Sequence, residues 1–304
     1  MRGEEMYGGD DAFSRTVSEM HSGQMWAGFF SCVADSALLE LGPKGISVSR
    51  DFEPGEAWAL YKKQMEDLKE LLTTMPVSEA LTAEDVDSLH AQGDIAAFIG
   101  CEGAHCLEGR LDRVEAMKGD GVRLLQLVHY AMNDVGDLQT LAPKYNGLSP
   151  FGRDVVREMD RLGMVIDVAH ASLKTVADVA ETSQNPFFLS HSQLKSADKQ
   201  HPRLLDPEHA KLVASTDSVI GMWPSGFGND SMEDFIDNTM RLIDLIGVEH
   251  VGLGTDMDGN YKPVFGSYTQ LPEWTAGLLD KGLSDEEVAK VIGGNAIRVI
   301  KAIS

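Results

Sequence analysis

Residues 163–191 constrain the fold of this chain more than any other stretch. Two short apolar runs, Gly-Met-Val-Ile-Asp-Val-Ala-His at 163–170 and Phe-Phe-Leu-Ser-His at 187–191, each end abruptly in a histidine. Apolar runs without polar alternation suit strands buried on both faces, as in a parallel sheet covered by helices. Between them Leu173, Val176 and Val179 are spaced like one face of a helix. A β-α-β unit of this kind places His170 and His191 at the same end of neighbouring strands. That carboxyl-terminal edge is where such folds bind ligands. Two imidazoles projected side by side there point to a metal site.

The rest of the chain continues the alternation. Strands are expected at 27–34, 94–100, 121–128, 218–223 and 250–255, which with the two central runs makes seven. Helices are expected at 53–75, 82–92, 111–118, 149–162, 172–182, 206–215 and 232–245, and in the tail from Ser284. The first carries Ala57, Leu60, Tyr61, Met65, Leu68 and Leu71 as an apolar stripe. Pro150 falls in the first turn of its helix, where its missing N–H costs nothing, and Ser284 with Glu287 forms a capping box. Residues 1–20 are polar and Gly-rich, with no clear period. No linker or short repeat divides the 304 residues, so the reading is a single α/β domain, 1–304, built as a (β/α)8 TIM-type barrel. Such a barrel requires eight strands. The shortfall is expected at an end, in the first strand.

Composition narrows the partners. A formal net charge of -22 argues against nucleic acid and anionic membrane surfaces. No apolar run approaches a membrane span, and the first residues lack the basic and apolar regions of a signal peptide. The three cysteines, Cys32, Cys101 and Cys106, show no C-x-x-C spacing and fit a reducing compartment. The expected location is the cytoplasm.

Five polar residues stand just after apolar runs: Glu102, His129, His170, His191 and Asp256. Imidazole and carboxylate are ligands suited to Zn²⁺, and a metal at the barrel mouth would activate water for hydrolysis. Each has a plainer reading as well. Glu102 can be a turn carboxylate, His129 can cap a strand by bonding a loop amide, and either Asp256 or Asp258 can be a turn former. His90, His201, His209 and His250 read as structural or solvent-facing, and His105 is open between the two.

The segments Gly-Cys-Glu-Gly-Ala-His (100–105), Gly-Val-Arg-Leu-Leu-Gln-Leu-Val-His (121–129), the run 147–170, Ser-His-Ser (190–192), Gly-Leu-Gly-Thr-Asp-Met-Asp-Gly (252–259) and Gly-Gly-Asn-Ala-Ile-Arg-Val (293–299) occur in that order. Together they resemble the membrane (renal-type) dipeptidases and their bacterial relatives, from about residue 20 to the end. The resemblance implies a binuclear zinc site and hydrolysis of dipeptides by metal-activated water. Glu102 would bridge the ions, with His170 and His191 on one of them. Asp256 would bind the other and orient or deprotonate the water. His129 would contact the scissile carbonyl oxygen, and Arg203 would hold the substrate carboxylate. Relatives include enzymes that accept a C-terminal D-residue or open β-lactam-like amides, and homodimers are typical.

Two departures stand out. Leu204 follows Arg203 where the family usually has Asn. The sequence also contains no His-x-Asp, the motif that ends the family's first strand and binds the second metal; the nearest segment is His21-Ser22-Gly23. The missing motif and the missing strand coincide, which leads to the expectation of an N-terminally truncated chain. Its second metal would keep only Glu102 and Asp256, its zinc content would fall below two, its activity would be weak or absent, and its flanking strand edges would be unpaired. The alternatives are another amide or lactone hydrolase of this barrel class, or a non-catalytic metal- or ligand-binding protein.

Overall fold

The computed structural model describes residues 12–42 and 45–303. Helix α1 (Ala12–Ser22) leads into strand β1 (Ala27–Val33), and a hairpin of β2 (Leu39–Gly42) and β3 (Gly45–Val48) follows. Next come α2 (Glu56–Leu72), β4 (Val77–Glu79), α3 (Glu84–Gln92), β5 (Ile95–Glu102), α4 (Asp112–Gly119) and β6 (Val122–Gln126). The second half runs α5 (Pro150–Leu162), β7 (Val165–Asp167), α6 (Leu173–Thr182), β8 (Phe188–Ser192), α7 (Pro207–Ala214), β9 (Val219–Met222), α8 (Met232–Ile246) and β10 (Val251–Leu253). Three helices close the chain: α9 (Leu271–Asp280), α10 (Asp285–Ala289) and α11 (Asn295–Ile303).

The main sheet is parallel, in the order β1-β5-β6-β7-β8-β9-β10, with β4 also paired to β5. It curls into a half-barrel with helices outside, the arrangement of a TIM-type barrel. All seven expected strands are present. The unforeseen member is β4, only three residues long and too short to leave an apolar pattern. Residue Ala96 pairs with Ala27 of β1 and with Ser78 of β4, so those strands lie on opposite sides of β5. Strand β6 takes the side of β4 and joins β5 farther along, at Ile99 to Cys101.

Local signals explain the element ends. Ser149 caps α5 by accepting the Gly152 N–H, Pro150 fills the first turn, and Gly163 ends the helix at φ 63°, a left-handed geometry that glycine adopts at little cost. The capping box of Ser284 and Glu287 forms as expected. Inside the barrel, Phe98, Leu124, Val165, Phe188 and Val219 make one apolar cluster. The helices pack on the outer face through a larger one that includes Met65, Val114, Val155, Val176 and Phe235.

Two expectations at the N-terminus require correction or completion. Of the first twenty residues, 1–11 lie outside the described residues. The rest begin α1, where a lack of regular structure was expected. Phe13, Val17 and Met20 lie on one face of this helix, with Val17 and Met20 buried, a sparse apolar stripe between serines and charges. Among the described residues no strand joins β1 to β10, so the sheet is open there. Helix α1 spans that opening: Phe13 meets Phe30 of β1 at 6.0 Å between ring centroids, and Arg15 and Thr16 bond Asp258, just beyond β10, at 2.8 and 3.2 Å. No described helix is long and apolar enough to cross a membrane.

Candidate metal centre

The strand ends bring the expected residues together. Glu102 is the last residue of β5, and its Oε1 lies 3.5 Å from His170 Nε2 and 3.8 Å from His191 Nε2. The two histidine Nε2 atoms are 3.1 Å apart. Among the described residues, these three form a group whose donor atoms all lie within 4.8 Å of one another. Four ligands about 2.05 Å from a tetrahedral zinc stand roughly 3.3 Å from each other, so the spacing fits one such ion. Burial, the Arg203 charge and the His129 charge hold the pKa values of both His170 and His191 well below the usual range. Both rings are therefore neutral, the form that binds metal.

Buried supports aim the ligands. Asp167, the last residue of β7, accepts through Oδ1 from the backbone N–H groups of Ala169 and Ser190, both at 2.9 Å. It thereby ties the loop bearing His170 to the strand bearing His191. His170 itself holds a left-handed backbone, φ 66°, and its carbonyl accepts the Gln139 N–H at 2.7 Å. His191 Nδ1 bonds Ser190 Oγ at 2.9 Å, leaving Nε2 for the centre. Gly221 and Gly254 crowd the Ser190 carbonyl so closely that a Cβ on either would come within 2.0 Å of it. Only glycine permits this approach of β8, β9 and the end of β10.

The other expected residues surround the triad. His129 Nε2 is 3.4 Å from Glu102 Oε1. Its burial opposes a charge, but Asp35, Glu102 and Asp256 outweigh it and raise its pKa to about 9. Asp256 sits beyond β10 with φ 49°; burial and the Glu102 charge hold its carboxyl well above the usual range against the pull of Arg203 and His129. Arg203 is 1% exposed, lies with its guanidinium carbon 5.3 Å from the Trp223 ring centroid, and bonds Gln139 Oε1 through Nη1 at 2.6 Å. Its Nε and Nη2 are buried without a hydrogen-bond partner. A buried guanidinium with free donors is costly unless an anion joins it.

Sequence reasoning missed Asp35, Gln126, Tyr130, Asp167 and Trp223 at this centre. Asp35 is fully buried, with Oδ1 2.6 Å from His129 Nδ1. It follows the apolar run of β1, the same signal that singled out Glu102 and His129. Gln126 donates to Glu102 Oε1 at 3.2 Å. The histidines set aside play other parts: His90 stacks on Trp26 and His201 on Phe227, His250 bonds the Ser218 carbonyl, and His209 is buried. His105 is buried too, with Nε2 on the Ala131 carbonyl at 2.9 Å. The three cysteines are free and buried.

The chain is similar to known proteins along most of its length. Residues 6–304 match the family described as membrane dipeptidase (Peptidase family M19). The dipeptidase tcpJ of Claviceps purpurea is 34% identical over 231 residues, covering 73% of this chain and 54% of the relative; the chain thus spans about half of that relative's length. Among solved structures, a metallopeptidase described as dipeptidase AC superposes with a TM-score of 0.83 at 23% identity, covering 94% of this chain and 88% of its own. A Rhodobacter sphaeroides metallopeptidase liganded with a phosphinate mimic of L-Ala-D-Ala gives a TM-score of 0.81 at 22% identity, covering 95% and 90%. These two likenesses establish the shared fold.

Proposed function

The chain belongs to the membrane dipeptidase family, and on that premise we propose that it is a zinc-dependent dipeptidase acting at the centre formed by Glu102, His170 and His191. The observation that carries this reading is the pairing of that triad with the buried, unsatisfied guanidinium of Arg203. One end of the site suits a metal and the other suits a free carboxylate, the group that a dipeptide carries one residue beyond its peptide bond.

Zinc bound by the triad supplies a Lewis acid that polarises a carbonyl and lowers the pKa of water. The protein's own groups do the rest. Arg203 grips the substrate carboxylate through Nε and Nη2, a fork that matches its geometry, while Trp223 and Gln139 keep the guanidinium in place. His129 presents Nε2 beside Glu102 and donates to the carbonyl oxygen as negative charge develops there; a donor of this kind is worth about a hundredfold or more in rate. Asp256, the carboxylate beyond β10, takes the proton of the attacking water and returns it to the leaving amine. We assign zinc to the triad of Glu102, His170 and His191.

The test is hydrolysis of a panel of L-L and L-D dipeptides by zinc-supplemented protein, with His170→Ala alongside. Turnover that vanishes in the variant supports the reading. Folded, zinc-loaded protein that cleaves N-acyl amino acids but no dipeptide would replace it with another amide hydrolase. Binding of zinc without any hydrolysis would leave a metal-binding protein.

A further inference from the structure

We propose that Asp35 is a positioning residue of this centre: it holds the His129 ring through Nδ1 so that Nε2 faces the space beside Glu102. The inference rests on the dipeptidase reading for its kinetic consequence, although its geometry stands independently. Asp35 lies in the turn after β1 and is fully buried. Its Oδ1 accepts from His129 Nδ1 at 2.6 Å. Its Oδ2 accepts from the backbone N–H groups of Tyr130 and Ala131 at 3.2 and 2.9 Å. The carboxylate therefore grips one three-residue segment by both ring and backbone, with both oxygens engaged. His105 stands behind it, 3.9 Å from Oδ2, with its Nε2 bonded to the Ala131 carbonyl.

An ionised carboxylate only accepts hydrogen bonds, so the Asp35 contact places a proton on His129 Nδ1. The ring is then fixed in rotation, and with Nδ1–H held on Asp35 its Nε2 donates from the doubly protonated ring, the form that the neighbouring carboxylate favours. Its Nε2 lies 3.4 Å from Glu102 Oε1 and cannot swing away without breaking the 2.6 Å contact. Neither the family's ligand set nor the six site residues found from sequence include this group. The plainer alternative is that Asp35 merely anchors the segment after β6 through its backbone bonds.

The two roles separate in Asp35→Asn. An amide offers one oxygen. With that oxygen on the two backbone N–H groups, the NH₂ meets His129 Nδ1, which gives up its proton and leaves a neutral ring whose one remaining donor, Nε2–H, is weaker than that of the charged ring. Nitrogen-15 NMR of the His129 ring in metal-free protein, wild type and Asp35→Asn, reads this directly. Steady-state kinetics of the zinc-loaded proteins on a cleaved dipeptide reads the consequence. We expect kcat to fall about a hundredfold with KM kept within about threefold, because Arg203 still binds substrate. In a His129→Gln background the same substitution should cost less than about threefold, since Asp35 acts through that ring.

Unchanged ring nitrogens in Asp35→Asn, an unaffected kcat, or losses that multiply in the double variant would each overturn the proposal. If wild-type protein cleaves no dipeptide, the dipeptidase reading fails, and the ring-nitrogen spectra alone decide the role of Asp35. Should Asp35→Asn not fold, the wild-type spectrum decides: a proton on Nδ1 supports the proposal and its absence there refutes it.

Discussion

His170 and His191 are 21 residues apart in sequence, yet their Nε2 atoms stand 3.1 Å from each other. Both are buried and neutral, so without a cation the two nitrogens share at most one hydrogen bond between them. A ligand that binds the native state alone stabilises it by mass action. Zinc at a hundred times its Kd should thus raise stability by about 2.7 kcal/mol. Thermal unfolding with and without zinc will show the shift in wild-type protein and none in His170→Ala or His191→Ala.

Arg203 provides a prediction about substrate binding. Lysine keeps the charge but not the fork, and its compact ammonium cannot replace two parallel donors. Arg203→Lys should raise KM for dipeptides about 10- to 100-fold, equivalent to about 1.5–3 kcal/mol for a charge-assisted hydrogen bond, with kcat little changed. Dipeptide amides, which lack the carboxylate, should be handled equally by both proteins. Steady-state kinetics on matched acid and amide substrates checks both statements.

Much of this centre was legible in the sequence because strand ends announce themselves. An apolar run stopped by His or Glu marks a parallel strand and the edge where its last side chains gather, which is how Glu102, His129, His170 and His191 were singled out. Arg203 was different: it sits in a loop with no periodic pattern, and only the family resemblance brought it forward. Asp35 followed a run of the same kind but lacked a recognisable neighbourhood. Strand β4 was invisible because three residues hold no period, and its place in the sheet depends on pairing with β5. The Gly-Gly-Asn motif at 293–295 read as a family signature, while its physical role is structural: buried Asn295 donates to the carbonyls of Val248 and Val251 at 2.7 and 2.8 Å and ties α11 to β10.

Helix α1 tests how the open side of the sheet is held. Met20 is 2% exposed and reaches β1 at Gly28, whereas the Arg15–Asp258 ion pair is largely solvated, with side chains 55% and 26% exposed. Truncation of a buried methionine costs about 2–5 kcal/mol. An exposed ion pair contributes about 0–1 kcal/mol. Met20→Ala should therefore lower stability severalfold more than Arg15→Ala in chemical denaturation. Equal effects would mean that the polar latch, not the apolar face, secures the helix.

His209 sets part of the acid limit of the fold. It is 4% exposed, with Nε2 buried and unpartnered. Burial lowers its pKa from 6.5 to about 4, with Arg203 and Lys195 adding to the shift and Asp206 opposing it. Between these two values the unfolded chain binds a proton that the native state refuses, so unfolding takes up protons and stability falls as the pH drops. The contribution is fully present above pH 6.5 and is lost progressively as the pH falls toward 4, to a total of about 3 kcal/mol. His209→Leu removes both the titration and the unpaired nitrogen, so its stability at pH 7 should stay within about 1.5 kcal/mol of wild type. Urea unfolding of the two proteins at pH 7, 5.5 and 4.5 measures the difference, in which the other titrating groups cancel. The variant should gain on wild type at each step down, because only wild type must hold an imidazole neutral against the rising proton concentration.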